Sequence, residues 1–195
     1  KDLPVKIQWI DTEEVETRGL NPAEILRDVD GVIIPGGFGT RGIEGKIQII
    51  RYVRENKIPF MGICYGMQLA VVEYSRNVCG WHDAHTEEIE KDGNHVERPV
   101  VCILENQKGV KDMGGTMRLG GHDIVIRDHS KAKEIYGSNE VRARFRHRYE
   151  VNPDYVDDLE KAGLSFSGKA KHENIQQILE ITDHPFFVAG QFHPE

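Results

Sequence analysis

Short apolar runs alternate with amphipathic segments through the first half of the chain, and this order restricts the fold more than any other feature. Residues 31–34 and 58–62 are apolar runs of strand length, and residues 43–53 carry isoleucine and valine at helical spacing between them. A strand–helix–strand order predicts parallel strands joined by right-handed crossovers. We therefore predict an α/β fold with a mostly parallel central sheet flanked by helices, and additional antiparallel strands in the second half.

The element predictions cover most of the chain. Strands are predicted at residues 5–10, 31–34, 58–62, 99–104, 116–119, 122–126, 141–149, 175–181 and 186–191. Helices are predicted at residues 21–29, 43–53, 67–74, 130–136 and 152–162. The polar stretch 82–98 indicates a surface excursion.

Length and charge exclude several classes of function. A chain of 195 residues favours one domain over residues 1–195. Its net charge of −7 argues against nucleic-acid and anionic-membrane partners. No apolar run approaches the roughly 18 residues of a membrane helix. Three cysteines are too few for a disulfide framework, so a reducing, cytoplasmic location is expected.

The segment 62–66 (Gly-Ile-Cys-Tyr-Gly), here called the elbow, joins a predicted strand to a predicted helix. This is the cysteine form of a nucleophile elbow, in which a strained turn lifts the central side chain clear of the sheet. The backbone N–H of Tyr65 would then face an oxyanion. The helix N-terminus would favour the thiolate of Cys64. The alternative is an ordinary buried cysteine between two packing glycines.

A base for this thiol is available at the end of the chain. Residues two apart in an extended segment point to the same side, so Glu195 can accept the Nδ1 proton of His193 and leave Nε2 toward the sulfur. Pro194 between them favours extended geometry at His193. A surface histidine and glutamate separated by a turn proline is the alternative interpretation.

Residues 35–42, here called the glycine loop, follow the second predicted strand. Their exposed N–H groups could form the other half of an oxyanion hole. The pattern Gly37-x-Gly39-x-x-Gly42 also matches the dinucleotide-binding spacing, although no acidic residue follows where a ribose would need it.

Four arginines at alternate positions lie in the predicted strand 141–149, so one of them could hold a substrate carboxylate. A solvated edge strand is the alternative. Cys79, His82 and His85 have a spacing that zinc could use, but no fourth ligand follows at a familiar interval, so no metal site is predicted.

Two of these motifs together resemble the class I glutamine amidotransferases, and three others resemble the glutaminase domain of the CTP synthase family. The first two are residues 62–68 and 192–195; the others are residues 35–42, 114–120 and 146–152. The resemblance extends from residue 31 to residue 195. It implies the class I glutamine amidotransferase fold and a Cys-His-Glu triad. Cys64 would form a γ-glutamyl thioester, His193 would move the protons and Glu195 would orient the His193 ring.

The resemblance also implies a glutamine site. Arg148 would face the α-carboxylate of L-glutamine, Glu88 its α-amino group, and Gly37 with the Tyr65 backbone would form the oxyanion hole. The full set that it implies around glutamine is Gly37, Tyr65, Gly66, Met67, Gln68, Glu88 and Arg148. Tyr65 stands where the family usually has leucine.

The wider reaction is implied in the same way. No cofactor or metal is expected in this domain. Ammonia would pass to an amidoligase domain of the same polypeptide, which uses ATP and Mg²⁺ to aminate UTP to CTP, with GTP as activator and a homo-oligomeric enzyme. The remaining alternatives are another amidotransferase, a γ-glutamyl hydrolase, and a non-catalytic binding domain that kept the fold.

Overall fold

The computed structural model describes residues 4–103 and 118–195. Its α-helices are α1 (Thr12–Arg18), α2 (Pro22–Ile25), α3 (Ile43–Glu55), α4 (Tyr65–Asn77), α5 (Lys131–Tyr136) and α6 (Val156–Lys161). Its strands are β1 (Val32–Ile34), β2 (Phe60–Ile63), β3 (Ala84–Thr86), β4 (Arg98–Cys102), β5 (Arg118–Ile126), β6 (Glu140–His147), β7 (Glu150–Val151), β8 (Leu164–Ala170), β9 (Gln176–Ile181) and β10 (Phe187–Gly190). Short 3₁₀ helices cover Glu87–Asp92 and Pro153–Tyr155.

The main sheet has seven strands in the order β1-β2-β10-β9-β8-β5-β6. Strand β2 pairs in parallel with β1 on one side and with β10 on the other, and the remaining pairs are antiparallel. Strands β3, β4 and β7 form a separate small sheet. Because β10 lies next to β2, the last strand of the chain is brought beside the elbow.

Apolar side chains cover both faces of the main sheet. The larger cluster joins α3 and α4 to β1, β2 and β10, with Phe60 stacked on Phe187 at 4.4 Å between ring centroids. A smaller cluster on β5, β6 and β9 packs with Ala132 of α5 and with Phe192. Phe192 is thereby buried, which fixes the start of the C-terminal tail that carries His193.

Most element predictions are confirmed within a few residues. The side chains of Asn21, Ser130 and Asn152 each accept a backbone N–H and so cap the helices that begin there. The α/β class and the antiparallel second half are confirmed. The sheet is mixed rather than mostly parallel, because β8 and β9 enter it antiparallel beside β10. Residues 104 and 114–117 of the predicted strands and motifs lie outside the described part of the chain.

Two predictions for particular segments are wrong. Residues 5–10 form no strand, because this alternating segment has no pairing partner in the described ranges; Ile7 and Trp9 are 68% and 87% exposed. Residues 82–98 are not simply a surface excursion, since β3 and the following 3₁₀ helix bury Thr86 and Glu88. The predictions also missed α1 and β8. No helix in the described ranges is both long and apolar enough to span a membrane.

Candidate active site

Cys64 occupies a strained turn between β2 and α4. Its backbone has φ 51° and ψ −99°, a region that residues with a β-carbon rarely adopt. The Cys64 N–H donates to the carbonyl of Gly190 at 2.7 Å, while the Cys64 carbonyl accepts from the first turn of α4. The turn is therefore held by β10 on one side and by the helix on the other, as the nucleophile-elbow pattern predicts.

The two glycines of the elbow are there because the packing leaves no space for a side chain. A β-carbon on Gly62 would lie 2.8 Å from the Ala189 side chain, and one on Gly66 would lie below 3.0 Å from the carbonyl oxygen of Ile34. Real β-carbons do not make such contacts. Helix α4 can therefore start directly against β1 and β2, which places the Tyr65 N–H beside the sulfur.

His193 is fixed by its backbone and by one ring nitrogen. Its N–H donates to the carbonyl of Arg144 on β6 at 2.8 Å, and its Nδ1 lies 2.7 Å from Glu195 Oε1. An ionised carboxylate can only accept, so Nδ1 carries the proton and Nε2 of the neutral ring has the lone pair. The His193 hydrogen bond is the main reason why the pKa of Glu195 is lowered. His193 Nε2 is buried and has no hydrogen-bond partner among the described residues.

The thiol and the imidazole meet at the start of the glycine loop. A side chain placed on Gly36 would have His193 Cε1 at 2.8 Å and Cys64 Cβ at 3.7 Å. Residues 64 and 193 therefore flank the same point, although 129 positions separate them in the sequence. The structure thus brings together the three residues of the predicted triad.

The Cys64 thiol is neutral in this state. Burial raises its pKa to about 11, and nearby Glu88 and Glu195 add to the effect, while the Tyr65 N–H and the Gln191 amide oppose it. The thiol donates to the carbonyl of Arg146 at a sulfur–oxygen distance of 3.9 Å. The Tyr65 N–H at the helix N-terminus favours the thiolate, as expected, but desolvation of the buried sulfur outweighs it.

The glycine loop is held by two hydrogen bonds at Gly39. Its N–H donates to Glu88 Oε1 at 3.1 Å, and its carbonyl accepts from the Tyr65 hydroxyl at 2.6 Å. Gly39 has φ +82°, which favours glycine there. Gly37 is exposed and stands against the Tyr65 ring. Sequence reasoning used only the Tyr65 backbone and missed its hydroxyl.

Arg148 follows β6 and is half-buried, whereas Arg142, Arg144 and Arg146 on the strand are exposed. The turn next to Arg148 is fixed at the carbonyl of Tyr149, which accepts from Gln68 Nε2 at 2.9 Å and from His147 Nδ1 at 3.1 Å. Burial lowers the pKa of His147 to about 3, so this ring is neutral.

Five of the seven residues of the predicted glutamine set are buried, namely Tyr65, Gly66, Met67, Gln68 and Glu88. Met67 is fully buried in the main core, Gly66 packs on β1, and the amide of Gln68 is engaged with Tyr149. Any contact of Gly66 or Met67 with a ligand would therefore be made by the backbone.

The competing motifs are accounted for structurally. Gly42 caps α3 with φ 67°, so the glycine loop ends as a tight turn into a helix. His85 lies against Glu44 at 3.6 Å, and its Nδ1 accepts the Thr86 N–H. Over residues 4–103 and 118–195, no group of three histidine, cysteine or acidic side chains is arranged to hold a metal ion.

Comparison with known proteins shows the family to which this chain belongs. The sequence matches the Glutamine amidotransferase class-I family over residues 1–195. It is 51% identical to the CTP synthase of Haloarcula hispanica over the whole chain and 34% of that protein, and 51% identical to the CTP synthase of Thermococcus gammatolerans over the whole chain and 36% of that protein. Among solved structures, the glutaminase domain of Trypanosoma brucei CTPS with bound acivicin superposes with a TM-score of 0.89 at 40% identity, covering 98% of this chain and 74% of that one.

The chain therefore belongs to the class I glutamine amidotransferase family. Within it, the chain is a glutaminase domain of the CTP synthase type. It spans about a third of the length of the curated relatives that it matches.

Proposed function

We propose that this domain hydrolyses the side-chain amide of L-glutamine through a thioester on Cys64. The observation that carries the proposal is the buried Nε2 of His193, which has no hydrogen-bond partner within residues 4–103 and 118–195 and lies beside the elbow that presents the Cys64 sulfur. A nucleophile, a base with its lone pair directed into the site and a carboxylate that fixes the tautomer are the three parts that covalent acyl transfer needs.

Because the resting thiol is neutral, its proton has to leave as the substrate is attacked. The Cys64 Sγ proton moves to His193 Nε2 while sulfur bonds to the amide carbon. The carbon–nitrogen bond then breaks, and the nitrogen takes that proton and leaves as ammonia. Water attacks the thioester and gives a proton to His193, the carbon–sulfur bond breaks, sulfur regains the proton, and glutamate departs.

The glutamine contacts in the proposal are those that the family resemblance implies, and their charges are consistent with it. Arg148 binds the α-carboxylate and Glu88 the α-amino group, since a guanidinium and a carboxylate are the natural partners of those groups. The backbone N–H groups of Gly37 and Tyr65 stabilise the oxyanion. Gly66, Met67 and Gln68, at the start of α4, form the rest of the proposed glutamine site.

The whole enzyme of which this domain forms part is also a proposal. By analogy with the CTP synthase relatives, ammonia passes to an amidoligase domain that uses ATP and Mg²⁺ to convert UTP to CTP, with GTP as activator. We expect that enzyme to be a homo-oligomer. We also propose a cytoplasmic location, since three cysteines are too few for a disulfide framework.

Labelling with acivicin, the compound bound in the Trypanosoma brucei structure, tests the assignment. Mass spectrometry should find the adduct on Cys64, and glutamine should protect against it. Labelling confined to Cys79 or Cys102 would contradict the proposal.

Assay of glutamate release from glutamine and from a γ-glutamyl peptide separates an amidotransferase from a γ-glutamyl hydrolase.

Tyr65→Phe tests the tether on the glycine loop. Loss of the bond to Gly39 should raise KM for glutamine about 3- to 10-fold, as expected for one hydrogen bond of about 1 kcal/mol. Tyr74→Phe is the matched control, because its hydroxyl donates to the Ala162 carbonyl at 2.8 Å from the same helix, away from the site. Both variants should lose similar thermal stability, and only the first should change KM. Equal KM values in the two variants would exclude the tether.

A further inference from the structure

Gln191 was not recognised from the sequence, yet its side chain touches the sulfur of Cys64. It directly follows β10, is fully buried, and its Nε2 lies 3.5 Å from Cys64 Sγ. The signal that the sequence offers is a polar residue at the end of the apolar run 186–191. A side-chain amide that is buried with such a run requires a hydrogen-bond partner. We propose that Gln191 is a catalytic residue that donates a hydrogen bond to the Cys64 sulfur and stabilises the thiolate as it forms.

A chain of three hydrogen bonds fixes which end of the amide faces the sulfur. The Tyr149 carbonyl can only accept, so the Gln68 atom at 2.9 Å from it is the amide nitrogen. That nitrogen also lies 3.3 Å from the Gln191 side chain, which must therefore present its oxygen there. The remaining end of the Gln191 amide, its NH₂ group, is the one that faces Sγ.

The backbone holds this donor in place from both sides. The Gln191 N–H donates to the Gln177 carbonyl of β9 at 2.9 Å, and the preceding carbonyl, that of Gly190, accepts the Cys64 N–H. Gln191 follows β10 and Cys64 follows β2, so the donor and the sulfur belong to residues that lie side by side at the ends of two neighbouring strands. Such a donor does not have to reorganise when charge develops, which is the condition for strong stabilisation in a buried site.

The bond is weak to a neutral thiol and strengthens to a thiolate, because hydrogen bonds to ionised acceptors are shorter and stronger. It therefore lowers the energy of two states in the proposed cycle. One is the state in which sulfur attacks glutamine, when its proton moves to His193 and negative charge develops on the sulfur. The other follows thioester hydrolysis, when sulfur leaves as thiolate. The inference rests on the proposed function, since it assumes that Cys64 is the nucleophile.

The test measures how the rate at which iodoacetamide alkylates Cys64 depends on pH. The reaction is carried out on this chain without glutamine, and mass spectrometry quantifies the alkylated residue. The titratable groups that face the sulfur are His193 and Glu195 from the tail and Glu88 from the 3₁₀ helix, and these are unchanged in the variants. In Gln191→Met, which removes the donor at similar volume, we expect the midpoint of alkylation to rise by about one pH unit. We also expect kcat for glutamine hydrolysis to fall about 10- to 100-fold.

The matched control is Gln177→Met. This side chain is equally buried on the neighbouring strand, and both of its amide atoms are without a partner among the described residues. Its replacement should leave the alkylation midpoint unchanged. Gln191→Glu is the second variant, in case the methionine disturbs folding: it keeps an oxygen for Gln68 but turns a carboxylate toward the sulfur, so the midpoint should rise further.

A midpoint that is unchanged in both Gln191 variants, or that shifts equally in Gln177→Met, would overturn the inference. Alkylation does not require turnover, so the two proposals fail separately. A chain that does not hydrolyse glutamine would contradict the proposed function. If the parent chain hydrolyses glutamine normally and the alkylation midpoint is unchanged in the Gln191 variants, only the role of Gln191 would be contradicted.

Discussion

Replacing Cys64 with glycine should abolish glutamine hydrolysis and yet give a protein that is more stable than the alanine variant. Both substitutions remove the sulfur, and loss of the nucleophile should lower kcat about 10⁴-fold or more. They differ in the backbone, because φ 51° and ψ −99° strain any residue with a β-carbon, and alanine keeps that strain. We expect glycine to be more stable than alanine by about 1 kcal/mol, or about 2–4 °C in Tm for a chain of this size.

The measurements are glutamate release and thermal unfolding of both variants beside the parent. Cys79→Ala is the control for loss of a cysteine remote from the elbow, and it should retain hydrolysis. If the alanine variant proved as stable as the glycine variant, the turn at residue 64 would not be strained. If either retained hydrolysis, Cys64 would not be the nucleophile.

Gly66→Ala should be among the most destabilising single substitutions in the chain. In the interior of a helix this change usually stabilises by about 1 kcal/mol. Here the new β-carbon would lie below 3.0 Å from the backbone carbonyl of Ile34. Neither backbone can yield alone, so α4 must move away from β1, and we expect a net loss of about 3 kcal/mol. The Tyr65 N–H would move with the helix, so hydrolysis should fall too.

Gly31→Ala provides the comparison. Its β-carbon would find Pro59 atoms at 3.4 and 3.5 Å, which is ordinary contact. Urea unfolding of the two variants should therefore separate them clearly. A Gly66→Ala protein with the stability of the Gly31→Ala protein would show that α4 is not held against β1 as described.

The sequence predicted those parts of the site that depend on local chemistry. The elbow follows from its glycines and cysteine, and the histidine–glutamate pair follows from extended geometry around Pro194. The strand predicted at residues 5–10 is absent because alternation requires a neighbouring strand, which a pattern within one segment cannot supply. Strand β8 was missed because only Leu164 and Phe166 alternate with polar residues before Gly168, so the apolar alternation is short.

The rest of the site depends on contacts between distant segments. The Tyr65 hydroxyl finds Gly39, and the Gln191 amide finds Cys64, only after the sheet is assembled. The resting state of the thiol could not be predicted either. It is set by the difference between burial and a few donors, and the extent of burial is a property of the folded molecule.

The position of β10 between β2 and β9 bears on how the domain is made in the cell. Strand β2 and the elbow are translated before their neighbour β10 and before His193, the proposed base, which follow more than a hundred residues later. A nascent chain therefore carries an exposed cysteine turn with no base beside it. Under the proposed mechanism, a partly synthesised copy does not hydrolyse glutamine, and until β10 is made the edge of β2 that β10 covers is open to unwanted pairing and to chaperones.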